Sequence, residues 1–130
     1  MGTLSYNDDQ SILVGHPTID AEHRDFARHL NALLQAEDAA LADALDVLIE
    51  HAASHFASEE ELMARHACPA SDCHADEHAR VLESLREARL LLALGERAIV
   101  RELALALADW FPGHAAYLDS AVANWVAKKT

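Results

Sequence analysis

Walked in alternating steps of three and four residues, the chain traces four apolar stripes, each at the period of an α-helix. The first is Ile19, His23, Phe26, Leu30, Leu33, and the second is Leu41, Leu45, Leu48, Ala52, His55, Glu59, Leu62. The third is His74, His78, Val81, Leu85, Ala88, Leu92, and the fourth is Leu103, Leu107, Trp110, His114. Punctuation between the stripes is plain. GHPT, with Thr18 or Asp20 as N-cap, predicts a helix from about 19 to 37, and a second follows from about 39 to 66, stopped at Cys68-Pro69. Ser71 or Asp72 can cap a third helix, which leaves at Gly95. A fourth starts near Glu96 and is interrupted at Pro112-Gly113, and a last helical piece covers about 115 to 128.

Four such helices joined by short connections imply an all-α fold, an antiparallel up-and-down four-helix bundle. Residues 1–18 form a short N-terminal arm in this reading, 19–128 the helical bundle with a C-terminal helical extension, and 1–130 a single domain. Four glycines and three prolines agree with that class. A net charge of -12 argues against nucleic acid or an anionic membrane as partner. With no membrane-length apolar run and no signal-like start in MGTLSYNDDQ, the expected location is the cytoplasm and the expected state a monomer.

The stripes are apolar except where His23, His55, Glu59, His74, His78 and His114 interrupt them. In an antiparallel bundle the starts of the first and third helices meet the ends of the second and fourth, so all six fall at one end. Burying a polar side chain without a partner costs roughly 2 to 7 kcal/mol, and a metal relieves all of them by accepting their lone pairs. His55/Glu59 and His74/His78 are i,i+4 pairs that share a helix face. Asp119 lies five residues after His114, which on a regular helix turns it about 140° away. Pro112 and Gly113 can break or rewind the helix so that both converge. Five histidines and two carboxylates exceed one tetrahedral zinc and suit two six-coordinate metals sharing carboxylate bridges. The ExxH motif of carboxylate-rich di-iron oxidases is absent. Cys68 and Cys73, five apart in HACPASDCH, read as free thiols or a local redox-sensitive pair rather than a zinc site.

The segments VGHPTIDAEHRDF, HFASEEELM, HADEH and WFPGHAAYLD occur in an order and at separations that resemble bacterial hemerythrins of the HHE cation-binding type, in particular stand-alone bacteriohemerythrin domains. The resemblance covers nearly the whole chain. It implies a non-haem di-iron centre (Fe2+/Fe3+) in which His74, His78 and His114 hold one iron, and His23 and His55 hold the other with a position left open for O2. It further implies that Glu59 and Asp119 bridge the irons together with an oxo or hydroxo group. Phe26, Phe56, Leu62, Trp110 and Phe111 are candidate wall residues. Two departures stand out: Tyr6 is the only aromatic in the arm, where the family commonly has tryptophan, and Ala115 follows the fourth-helix histidine where isoleucine is frequent. His16, His29, His51 and His66 are expected outside the ligand set, with His51 the best candidate to support a ligand from behind. The function expected from the resemblance is reversible O2 binding for storage, delivery or sensing, without catalysis of its own, served by an unidentified redox partner. The alternatives are a di-iron enzyme that reduces peroxide or nitric oxide, a sensory module, and a bundle that binds zinc or nickel adventitiously.

Overall fold

A computed structural model of the chain describes residues 12–129. Tyr6 and the rest of the arm before Ile12 lie outside the described residues. The elements are α1 (Pro17–Gln35), a 3-10 turn (Asp38–Ala40), α2 (Leu41–Arg65), α3 (Ser71–Ala93), α4 (Arg97–His114), a π-turn (Ala115–Asp119) and α5 (Ser120–Lys129). Among the described residues there is no strand, and no helix is long and apolar enough to cross a membrane. α1 packs on α2, α2 on α3, α3 on α4 and α4 back on α1, the cyclic order of an up-and-down four-helix bundle.

The helix ends differ from the sequence expectation in ways that have local causes. α1 begins at Pro17, two residues earlier than a Thr18 cap and four earlier than an Asp20 cap would allow. Pro17 has no N–H to satisfy and a φ suited to a first turn, so the cap is His16, whose Nδ1 accepts from the Ile19 N–H at 3.3 Å. Asp20 instead reaches backwards and accepts from the N–H groups of Val14 (2.7 Å) and Gly15 (3.2 Å), tying the arm to α1. Ser71 and Asp72 sit inside α3, and its N-cap is Ala70, with φ 61° and no side-chain capping bond. α2 ends in a Schellman motif with Ala67 (φ 50°) where glycine is usual: Cys68 N–H bonds Met63 C=O at 3.0 Å and Ala67 N–H bonds Ala64 C=O at 3.3 Å. α3 ends in the same motif with Gly95 at φ 92°.

The expected break at Pro112-Gly113 does not occur. α4 runs through Pro112 to His114, and the irregularity comes just after, where Ser120 N–H bonds Ala115 C=O across the wider π-turn. The fourth stripe is also rotated. Its buried residues are Val100, Ala104, Leu107, Phe111 and His114, whereas Leu103 and Trp110 are half-buried at its edge. In α2 the buried line passes from Glu59 to Met63, leaving Leu62 half-buried.

Two apolar clusters result. The larger contains Phe26, Leu30, Leu45, Leu48, Phe56, Leu85 and Phe111, among others. The smaller contains Ile19, Met63, Cys68, Val122, Ala123 and Val126, under the α5 extension. The polar residues fall between them. His23 lies between Ile19 and Phe26, Glu59 between Phe56 and Met63, and His114 and Asp119 between Phe111 and Val122. The site is a polar layer enclosed by two oily ones.

Candidate metal centre

The structure brings all seven sequence-predicted side chains into that layer. His23 comes from α1, His55 and Glu59 from α2, His74 and His78 from α3, His114 from the end of α4 and Asp119 from the π-turn. None is more than 4 % exposed, so bulk water does little to serve them. The π-turn widens the helix by one residue, which closes the angular gap between His114 and Asp119 and brings His114 Nε2 within 3.1 Å of Asp119 Oδ1.

All five imidazoles turn Nε2 inward. His74 Nε2 lies 2.8 Å from Glu59 Oε1 and 2.9 Å from Asp119 Oδ1, and His78 Nε2 is 3.3 Å from Glu59 Oε1. His114 Nε2 is 3.3 Å from Nε2 of both His74 and His78. On the other side, His23 Nε2 is 2.7 Å from Asp119 Oδ2 and His55 Nε2 is 3.5 Å from Glu59 Oε2. Each carboxylate thus gives one oxygen to the three-histidine side and the other to the two-histidine side. The donor atoms of Glu59, His74, His78, His114 and Asp119 all lie within 4.8 Å of one another, as do those of His23, His55 and Glu59, so two adjacent groups able to hold a cation share Glu59.

Only part of this proximity is hydrogen bonding: His23 Nε2 pairs with Asp119 Oδ2 at 2.7 Å. Among the described residues both oxygens of Glu59 and Oδ1 of Asp119 have no directed hydrogen-bond partner, although histidine nitrogens stand within 2.8 to 3.5 Å of them. Three rings have their outward nitrogen committed: His23 Nδ1 faces the Ile12 carbonyl, His78 Nδ1 faces Glu60 Oε2 at 2.8 Å, and His114 Nδ1 faces Glu77 Oε1 at 2.8 Å. An imidazole donating through Nδ1 presents a lone pair at Nε2, so neutral rings aim lone pairs at carboxylate oxygens and at each other. Orphaned acceptors converging in a dry layer are what a cation, with charge but no directional demand, satisfies; the residues fit a metal pair.

Without a metal, protons take part of that role. Burial works against charge at His74, but its bonds to Asp119 and Glu59 outweigh it and push its pKa up to about 9. Burial likewise opposes charge at His23, and Asp119 reverses it to a net rise. Burial would raise Glu59, yet the close imidazoles of His55, His74 and His78 hold it at about 2; Asp119, against the same burial, is held well below the usual carboxylate range by His114, His23 and His74.

The remaining histidines have other work. His16 caps α1, and the carbonyl of His66, at the end of α2, accepts from Trp125 Nε1 at 2.7 Å. His29 packs on His51, with ring centroids 5.0 Å apart. His51 packs 5.6 Å from His55 and donates through Nε2 to the Glu22 carbonyl at 3.3 Å; burial and the neighbouring His55 and His29 pull its pKa down to about 4, so it is neutral. Of the expected wall, Phe26, Phe56 and Phe111 are buried against the ligating rings. Leu62 instead lines a polar cavity of about 360 Å³ with Thr18, Glu22, Ser58 and Arg65, which reaches Glu59. Glu60 and Glu77 were missed by the stripe pattern because they lie beside the buried line, not on it. Both cysteines are free thiols, Cys68 buried and Cys73 exposed.

The sequence profile of the hemerythrin HHE cation binding domain matches residues 14–126. Among curated proteins, the bacteriohemerythrin of Ralstonia nicotianae is 35% identical over 120 residues, covering 92% of this chain and 88% of its own length. That of Stenotrophomonas maltophilia is 34% identical over 130 residues, covering 97% and 83%, and that of Pseudomonas aeruginosa 30% over 129, covering 92% and 82%. No solved structure matches the chain.

Proposed function

The chain belongs to the hemerythrin family, and from that premise we propose that it binds O2 reversibly at a pair of iron ions, for storage, delivery or sensing. The observation that carries the reading is the split of each carboxylate between two histidine groups, which calls for two cations rather than one. In this reading His74, His78 and His114 hold one iron, His23 and His55 hold the other, and Glu59 and Asp119 span both. When bound, a ferrous pair supplies the two electrons, one from each metal, that make dioxygen uptake and release reversible. Imidazole ligation without thiolate suits iron, and five neutral rings against two carboxylates keep the cluster's charge low. With two protein imidazoles against three, the His23/His55 side is short by one donor, which leaves it as the side open to a small ligand.

The chain's own part is positioning and exclusion. Phe111 packs edge-on to His23 with centroids 5.2 Å apart, and Phe26 edge-on to His55 at 6.1 Å, so the open side is walled by rings with no exchangeable proton to give. Keeping water away there suppresses irreversible oxidation. One feature supports a second reading: the polar cavity that reaches Glu59 would admit hydrophilic molecules, which suits a di-iron enzyme that reduces peroxide.

Reconstitution with ferrous iron under argon tests both. A carrier takes up two irons per chain and shows a visible charge-transfer band that appears with O2 and disappears on sparging through repeated cycles. A band that forms once and decays to a ferric end state, with multiple turnovers of added peroxide, would replace the carrier by the enzyme. Uptake of zinc with no stable iron uptake would remove both.

A further inference from the structure

Behind the inward-facing nitrogens, the two halves of the centre are built differently. His78 donates Nδ1–H to Glu60 and lies flat on Phe56, with ring centroids 4.0 Å apart and planes 5° apart. His114 donates Nδ1–H to Glu77 Oε1, the same oxygen that Trp110 Nε1 binds at 2.7 Å, and its ring packs 4.5 Å from that indole. Each of these two rings is held at one edge by a carboxylate and on one face by an aromatic. On the other half, His23 has a backbone carbonyl behind it, and the buried Nδ1 of His55 has no partner among the described residues.

We propose that the centre loads in a fixed order, with the His74/His78/His114 half taking the first metal ion, and that Glu60 and Glu77 are the positioning residues that set this order. The inference rests on the metal centre argued above. A ligating imidazole must present its Nε2 lone pair in one direction. A carboxylate on Nδ1–H selects that tautomer, fixes the ring and makes Nε2 a better donor. Glu60 and Glu77 are 39 % and 28 % exposed, so solvent weakens their charge at the metal, but the tautomer and ring orientation they impose remain. Among the described residues nothing behind His55 holds its Nδ1–H, so presenting that ring's Nε2 lone pair falls to the second ion, helped by Glu59 and Asp119 already drawn in by the first. Donor count points the same way: five mutually close donor residues on one side, three on the other with Glu59 shared. The consequence is a defined one-metal species that can accept a different second ion.

Titration of the metal-free protein with Co2+ under argon, followed by calorimetry and by the visible absorption of the ion, reads the order without O2 chemistry. Wild type should bind in two resolved steps. Glu60→Gln and Glu77→Gln keep side-chain size and a neutral acceptor but lose the charge, and each should weaken the first step roughly 10–100-fold, leaving the second step as it was. His55→Ala should remove the second step and keep the first. Equal weakening of both steps in the Gln variants would mean that Glu60 and Glu77 serve the fold alone, and would overturn the proposal, as would loss of the first step in His55→Ala. Failure of wild type to bind Co2+ at all would strike the metal centre itself, an outcome distinct from two ions binding in the wrong order.

Discussion

Raising the pH from 6.5 to 9 should loosen the metal-free fold and tighten the metal-loaded one. In the metal-free protein the imidazolium of His74 is held by Asp119 and Glu59 against the cost of burial, with its pKa pushed up to about 9 from 6.5. A folded-state pKa above the unfolded one means that the folded state binds the extra proton. The stabilisation is therefore complete below pH 6.5 and is lost as pH climbs through 9. At 1.36 kcal/mol per unit of separation, the window is worth up to about 3 kcal/mol. His74 is only 2 % exposed, so solvent screening does not erode that figure much. His23, also raised, works in the same direction. For a chain of this size about 3 kcal/mol corresponds to roughly 10 °C in Tm. Glu59, held at about 2, sets the acid limit: its stabilisation is present above pH 4.5 and lost as pH falls through 2. A metal reverses the basic limb, since His74 must give up its proton to ligate and protons compete with the ion. Melting followed by circular dichroism at pH 6.5, 7.5 and 9, with and without metal, is the assay. A Tm of the metal-free protein that is flat or rising over that range would refute the assignment of a shared proton to the buried layer.

Other outcomes can be checked directly. Asp119→Asn keeps the shape of the π-turn but withdraws the charge shared between the two histidine groups, so bound iron per chain should fall when measured by metal analysis after desalting. Ala115, fully buried in the first position of the π-turn, leaves the wall beside His114 small; Ala115→Ile should slow autoxidation in stopped-flow, with an overpacking cost of about 1–3 kcal/mol, and equal autoxidation rates would exclude a wall role. Trp125→Phe leaves the His66 carbonyl without its donor and should destabilise the metal-free protein by about 1 kcal/mol in urea. Gly95→Ala meets no neighbouring atom, so any loss reflects backbone strain at φ 92° alone, roughly 1–2 kcal/mol by the same assay.

The bundle and the polar level within it were legible because helical periodicity is strong where leucine lines recur, and because a histidine in such a line stands out. Asp119 was ambiguous for a physical reason. Angular position along a helix can be read from spacing only while the helix stays regular, and a single π-turn changes the step without any residue type that demands it. Pro112 drew attention to the right region but the wrong bond: the helix tolerates it and widens three residues later. The cap of α1 was misplaced because Thr18 is a better capping residue than His16, whereas Pro17 decides where the turn can begin. Glu60 and Glu77 carry no pattern of their own. They are ordinary surface carboxylates until the fold turns the outer nitrogens of His78 and His114 toward them.

The two apolar clusters explain how the fold tolerates the layer between them. Local rules are broken at one level only, where seven polar groups replace leucines, while the lines above and below obey them. Removing one member, for instance Glu59→Leu, would leave His55, His74 and His78 facing apolar carbon, so partial repair costs more than the original arrangement. Replacing the whole layer with leucines at once would give an ordinary bundle core. The polar level is therefore stable as a set and unstable in parts, and one cation placed among three of the histidines would complete only part of it. An ion among His74, His78 and His114 satisfies Oε1 of Glu59 and Oδ1 of Asp119; beyond them His23 Nε2 and Asp119 Oδ2 pair with each other, whereas Oε2 of Glu59 and Nδ1 of His55 have no directed partner among the described residues. A second cation beside His23 and His55 would satisfy the remaining oxygen of Glu59, which is why the geometry favours the proposed pair.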